Sequence, residues 1–524
     1  MKRIKRIPHG AHFIIISFAI LYVHVCHAQA GYLDTTFGGG DGFVTEDLGG
    51  SDVINALDIQ DDGKIVVAGQ SNIDTGLIND IVLMRYNEDG SPDMSFGTDG
   101  KVYTDCEPGY SNDIAYGLTI QSDEKIIVTG TSQDLFGYRL VLLRYEIDGT
   151  LDITFGTGGI SIIELEGIED VGRSVIVLND GKILVAGYRN DGLKRNFALI
   201  RCLNNGTLDE TFGTGGIVYT SFATNRHDSG YSMGLQIDGK IVVGGYSFVG
   251  TSSDFQFALA RYNIDGSLDM SFDDDGMVLT DYLISKSLGF SLVVQHDNKI
   301  VLAGYSFIAD DVDFGLARYN SDGSLDNSFG GDGIVNADFG LNYEDNAYSL
   351  AIQPDGKFVA AGDTWNGDNW DFAVARFNDD GILDTTFNAD GLVTTPIGES
   401  SDGIFSIKLQ DDGKIVAGGY SRNGFENNFA VARYNGFTDI EISILEDDVT
   451  EIINISPNPF GNELKIDCSK GGRIILADAL GNELMKKNIS AGSFLFNTAD
   501  LLPGIYFVNF FDGDGCENYK LMKQ

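Results

Sequence analysis

Four stretches of this chain carry residue types that could do chemistry. Gly230-Tyr231-Ser232-Met233-Gly234, with His227 just upstream, has the spacing of a serine nucleophile elbow. That chemistry needs a strand-to-helix turn that lifts the hydroxyl out for attack. Gly234 to Lys240 matches a phosphate-cradling G-x-x-x-x-G-K, except that Ile241 stands where Ser or Thr would hold magnesium. Asn263-Ile264-Asp265-Gly266-Ser267-Leu268-Asp269 offers oxygen ligands suited to calcium, but its glycine comes two residues too early for an EF-hand loop. Asp363 to Asp371 holds both tryptophans of the chain, Trp365 and Trp370, with Asn366 and Asp368 between them. Aromatic rings beside Asn and Asp suit the stacking and hydrogen bonding that hold sugars or protein hot spots.

The elements that must position these residues repeat, and the repeat removes most of the candidates. Leu-Asp-x-Thr/Ser-Phe begins at Leu33, Leu151, Leu208, Leu268, Leu325 and Leu383, with a variant at Pro92; the spacings are 59, 59, 57, 60, 57 and 58 residues. Such a period marks a stacked or circular repeat architecture. Each copy divides into four short β-patterned segments, resembling 56–60, 64–69, 257–263 and 42–44, joined by Gly, Asp and Asn turns. Four antiparallel strands in each of seven copies predict an all-β, seven-bladed propeller. The chain enters at a fourth-strand position and leaves the repeats after a third strand, so the N-terminal strand should complete the last blade and close the ring.

In this register Ser232 falls on a position that is small in every copy (Ala56, Gly117, Ser174, Ser291, Ser349, Ser406), flanked by aliphatic residues such as Leu57 and Leu292. It is expected to pack between blades rather than attack a substrate. Gly239-Lys240 is a hairpin turn, and Asx-turn chemistry accounts for Asn263–Asp269 without a metal. No cofactor is therefore expected, with calcium as the one metal these donors suit. Arg85, Arg144, Arg201, Arg261, Arg318, Arg376 and Arg433 recur, as do Asp34, Asp93, Asp152, Asp209, Asp269, Asp326 and Asp384. A charge demanded in every copy reads as a blade-building partner.

Composition narrows the function classes. The formal charge is −42, and Lys2, Arg3, Lys5 and Arg6 head a leader that continues through an apolar stretch to Ala28-Gln29-Ala30. This reads as a secretory signal peptide over 1–30, and its loss leaves the chain more acidic still. Such a field disfavours nucleic acid and anionic membranes as partners. No later apolar run reaches membrane-spanning length. Beyond residue 30 only His227 and His296 remain, in different repeats, which disfavours histidine zinc sites and Ser-His-Asp catalysis. Cys106, Cys202, Cys468 and Cys516 are too few for a disulfide scaffold; Cys202 replaces a core aromatic, and Cys468 could pair with Cys516.

The run Arg-Tyr-Asn-x-Asp-Gly-Ser-Leu-Asp-x-Ser/Thr-Phe-Gly-x-x-Gly, followed by Gln-x-Asp-Gly-Lys-Ile-Val-x-x-Gly, resembles the bacterial delta-60 repeat over residues 31–436. The family brings an architecture and no general activity. After an acidic linker at 437–452, residues 453–524 read as a small β-sandwich. Pro457-Asn458-Pro459-Phe460, the Leu-x-x-Gly-Ile-Tyr-Phe-Val strand with Gly504 and Tyr506, and the basic end at Lys523 resemble the type IX secretion sorting domain of Bacteroidetes-type bacteria. The resemblance implies passage across the outer membrane, with the secretion machinery as partner, and a cell-surface or extracellular location.

The expectation is a monomeric, exported binding or scaffold protein. Its ligand, a glycan or a protein, would meet the loops after the second and fourth strands, where the copies diverge. The alternatives are an extracellular carbohydrate-active enzyme with carboxylates around the axis, and a passive adhesive or surface-layer component. No catalytic residue can be named.

Overall fold

The computed structural model describes residues 29–524 except 73–77, 108–110, 136, 224–226, 250–253, 281–285, 309–310, 341–342, 437–452, 457–462, 469–471, 479–482, 500, 502–503, 512–515 and 524. The chain forms two compact units, Met1–Ile440 and Glu441–Gln524.

The first unit is a seven-bladed propeller of four-stranded antiparallel blades. Blade 1 runs through Val53–Ile59, Ile65–Ser71, Asp80–Tyr86 and Lys101–Thr104. Blades 2 to 6 repeat this order over 112–163, 169–220, 227–280, 287–337 and 345–395. One parallel bridge, Glu169 to Tyr138, ties the sheets of blades 2 and 3. Blade 7 takes three strands from 402–434, and Phe43–Glu46 supplies its outer strand, from Phe43 opposite Ala432 to Glu46 opposite Phe429. The expected closure by the N-terminal strand is therefore present. It pairs the one orphan strand with the one exposed edge.

The recurring Arg and Asp join the blades. In every blade the third-strand Arg Nε lies 2.7–2.8 Å from the Asp eight residues on, or from Asp34 in the case of Arg433. Each guanidinium also lies 4.4–4.8 Å from the centroid of the Phe in the Leu-Asp-x-Thr/Ser-Phe run. Its Nη1 donates to a backbone carbonyl of the next blade: Arg85 to Ile147, Arg201 to Ile264, and, across the closure, Arg433 to Glu88. The other oxygen of the Asp accepts the N–H and hydroxyl of the Ser or Thr two residues on, as Asp93 does from Ser95. One motif thus folds a turn, pairs a buried cation and bolts two blades together. Burial opposes ionisation of these aspartates, yet the Ser/Thr bonds and the Arg charge hold them below the usual carboxylate range.

The small inner-strand position also joins blades. Ser232, Ser291, Ser349 and Ser406 accept the N–H of Leu292, Leu350, Ile407 and Leu57 in the following blade, at 3.0–3.2 Å. The elbow-like Ser232 is thus a joint within a strand, as its register implied. Asp265 is likewise spent in its turn, accepting the N–H and hydroxyl of Ser267 at 2.9 and 2.6 Å.

The second unit is a β-sandwich. A three-stranded sheet (Ile453–Ser456, Glu463–Cys468, Gly492–Asn497) and a four-stranded sheet (Gly472–Asp478, Glu483–Ile489, Gly504–Phe511, Cys516–Lys523) bury Leu464, Ile466 and Phe496 with Ile474, Leu476, Val508 and Phe510. Tyr506 and Lys523 are buried, and Gly504 pairs with Lys523 across the last two strands. Pro457–Phe460 lie outside the described residues. Cys468 is a free, buried thiol.

Candidate functional site

Each inner strand carries a β-bulge at the same place. Pairing with the second strand skips one residue per blade: Asn55, Tyr116, Arg173, Tyr231, Phe290, Tyr348 and Phe405. A bulge re-aims its unpaired side chain. Here all seven turn into the propeller axis and line a cavity of about 320 Å³. A second axial cavity, of about 530 Å³, is bounded by the same ring and the residues that follow it along the strands. All seven ring residues are half-buried, so the ring is a waist that meets open space.

The ring is a nearly continuous aromatic surface. Centroids are 4.9 Å apart for Tyr231–Phe290, 5.5 Å for Phe290–Tyr348 and 5.2 Å for Tyr348–Phe405. Tyr246, Tyr305 and Tyr420 on the second strands add a further tier, 5.4–6.1 Å from Phe290 or Phe405. Arg173 closes the arc, its guanidinium 3.8 Å from the ring centroid of Tyr116 and 4.7 Å from that of Tyr231. Its Nε is buried without a hydrogen-bond partner. Among the described residues no ion pair involves Arg173, while Asn55 donates to Ala115 O at 2.9 Å.

Polar groups stand around this surface. Glu169 accepts from Tyr188 Oη at 2.9 Å and Asn190 Nδ2 at 3.1 Å, and Arg195 Nη2 lies 2.9 Å from its Oε2. Burial opposes its ionisation, but those three partners hold its carboxyl low. Asp363 behaves oppositely. It is buried with one bond, from Asn346 Nδ2 at 3.0 Å, and burial pushes it up to about 7, aided by the charges of Asp345 and Glu344. Neither carboxylate lines the larger cavity, whose only charged lining residues are Arg173 and Lys408; Lys408 is paired with Asp58 at 3.2 Å.

The tryptophans lie elsewhere in the blade, at the hairpin between the second and third strands of blade 6. Trp365 and Trp370 are cross-strand partners with centroids 5.4 Å apart at 69°, both half-buried. Phe248 and Phe255 make the same pair in blade 4, 5.1 Å apart, so the arrangement is partly hairpin packing. Asn366 is consumed by the turn: its Nδ2 donates to Asn369 Oδ1 and Asp371 Oδ2, each at 2.8 Å, and its Oδ1 accepts the N–H groups of Asp368 and Asn369. Asp368 is exposed.

The axial ring escapes the sequence reading because that reading takes in only the small stripe and its aliphatic flanks. Leu57 and Leu292 follow that stripe, but the residue preceding it is the bulged one. The signal was available in seven copies: one arginine stands in a column otherwise filled by aromatic residues and one asparagine.

Comparison with known families agrees with the division into a propeller and a C-terminal domain. A family model described as a domain of unknown function, DUF5122 β-propeller, matches 60–96, 121–155, 178–212, 236–272, 295–329, 353–387 and 410–436. A second, the secretion system C-terminal sorting domain, matches 454–524. The chain is a DUF5122 β-propeller with a type IX sorting domain. That domain marks the DUF5122 protein for export to the cell surface or extracellular space. No curated protein matches the sequence. Among solved structures it is similar to PorZ, a surface component of the type IX secretion system of Porphyromonas gingivalis, at 11% identity and a TM-score of 0.35, covering 89% of this chain and 59% of that one. It is also similar to Sqt1 of Chaetomium thermophilum (11%, TM-score 0.41, 75% and 98% covered). A third likeness is to the propeller domain of the Trilobed protease of Pyrococcus furiosus (10%, TM-score 0.39, 76% and 99% covered). No helix among the described residues is long and apolar enough to cross a membrane.

Proposed function

We propose that this protein is an exported binding module whose propeller axis receives a glycan. The observation that carries the reading is the bulge-built ring: stacked aromatic faces lining a cavity, with a guanidinium among them whose Nε has no hydrogen-bond partner. Flat aromatic faces favour sugar C–H faces, and the surrounding Tyr, Asn and Arg groups supply hydrogen bonds. Trp365 and Trp370, with Asp368 exposed beside them, form a second contact at the hairpin tip for a longer ligand. The carbohydrate-active enzyme draws no support from the larger axial cavity: glycosidic hydrolysis uses two carboxylates about 5–10 Å apart, and the lining supplies none.

The test is a glycan-array screen of the full mature protein beside Tyr348→Ala and Trp365→Ala. Binding that Tyr348→Ala abolishes and Trp365→Ala weakens would support the reading. Binding unaffected by Tyr348→Ala would move the site off the axis, and absence of any glycan binding would overturn the ligand class.

A further inference from the structure

On the third strand of blade 5, Asp311 and Asp313 stand beside Asp338, which follows the outer strand Ile334–Ala337. One carboxylate oxygen from each of the three lies within 4.8 Å of the others. Asp313 is only 8% exposed and its Oδ1 has no hydrogen-bond partner. Behind them Asp345, fully buried, accepts the N–H of Phe339 at 2.8 Å through Oδ2 and leaves Oδ1 unpartnered. Among the described residues no ion pair involves any of the four.

The other blades provide an internal control. The third-strand position of Asp313 is Arg139, Asn196, Gln256 and Asn428 in blades 2, 3, 4 and 7. Blade 6 has Asp371 there, but Pro396 follows its outer strand. In none of these blades do acids stand at both positions of the sequence. Only blades 1 and 5 place acids at both positions; in blade 1 these are Asp80 and Asp105, and Ser111 Oγ lies 2.9 Å from a carboxylate oxygen of Asp105 and 3.0 Å from one of Asp113, donating to one of them at a time. In blade 5 no such donor bridges the carboxylates among the described residues. Converging carboxylates of which one is buried and unpartnered are stabilised by a bound cation or by taking up a proton.

We infer that Asp311, Asp313 and Asp338 form a calcium site that fastens the third strand of blade 5 to the segment leading into blade 6. Calcium takes six to eight oxygen ligands, so the three carboxylates leave positions for water. Asp311 and Asp338 each spend one oxygen on a nearby N–H, of Val312 and of Gly340, and keep the other for the ion. The site is separate from the Asn263–Asp269 loop, whose carboxylates are already satisfied.

The experiment is calorimetric titration of the chelator-stripped mature protein with calcium chloride, with thermal unfolding in parallel. Extracellular calcium modules bind with Kd on the order of 10⁻⁴–10⁻³ M. Expected are a saturable site in that range and an unfolding midpoint that rises with calcium. Asp313→Asn should remove that site, unfold at a higher temperature than wild type in chelator, and lose the calcium response. Asp265→Asn should keep both. The inference is overturned if Asp313→Asn binds with unchanged stoichiometry, or if wild type shows neither heat nor a midpoint shift at about 10 mM calcium.

Discussion

Two groups of positions recur in every blade and have opposite characters. The blade locks are uniform: Arg, Asp and Phe recur with ion-pair distances that vary by about 0.1 Å. The axial ring is varied, carrying Asn, Tyr, Arg and Phe on identical bulges. Uniformity follows where every blade must solve the same packing problem. Variation is tolerated where the side chain meets a cavity, and there the differences can serve recognition.

The largest effect expected from breaking this contrast is at the closure. Arg433→Ala leaves Asp34 buried beside Lys414 alone and removes the bond to Glu88, so denaturant unfolding should show a loss of about 3–5 kcal/mol. A loss below about 1 kcal/mol would show that the locks are ornamental.

Acid should separate two populations of carboxylate. The lock aspartates, held low, contribute stability that is present above the ordinary carboxylate range and lost as pH falls through their lowered values. Asp52 and Asp363, raised by burial to about 6 and about 7, favour the fold when neutral and lose that contribution as pH rises through those values. Midpoints measured across pH should climb from about pH 8 to about pH 4.5 and fall below about pH 3. Asp363→Asn should flatten the upper limb.

Ring substitutions should behave otherwise. Tyr348→Ala removes a half-buried side chain from a cavity wall and is expected to cost about 1 kcal/mol, with its consequence read in ligand binding. The smallest effect belongs to Ser232→Ala, which deletes one bond to Leu292 N–H; about 1 kcal/mol or less should disappear, and ester hydrolysis assays should not distinguish it from wild type.

The architecture was legible because the chain repeats itself: seven copies expose the four-strand pattern, the orphan N-terminal strand and the recurring Arg and Asp positions without any structure. The tryptophan hairpin was legible for a different reason: both tryptophans of the chain fall in it. The axial ring and the blade 5 acids were harder. A bulge breaks alternation by one residue, so simple alternation does not reveal that Tyr231 and Phe290 are skipped in the pairing. Asp313 and Asp338 are distant in sequence and meet only through strand pairing and the exit from blade 5.

The closure also orders events in time. Asp34 and Arg433 are 399 residues apart, a contact that costs much chain entropy and forms late. A nascent chain emerging N-terminus first carries Phe43–Glu46 as an unpaired strand until Glu426–Tyr434 has followed. Six blades can stack meanwhile, but the circle cannot shut. Unfolding should run in reverse, beginning with release of that short strand, so the lifetime of the native ring is set at its seam rather than averaged over its blades.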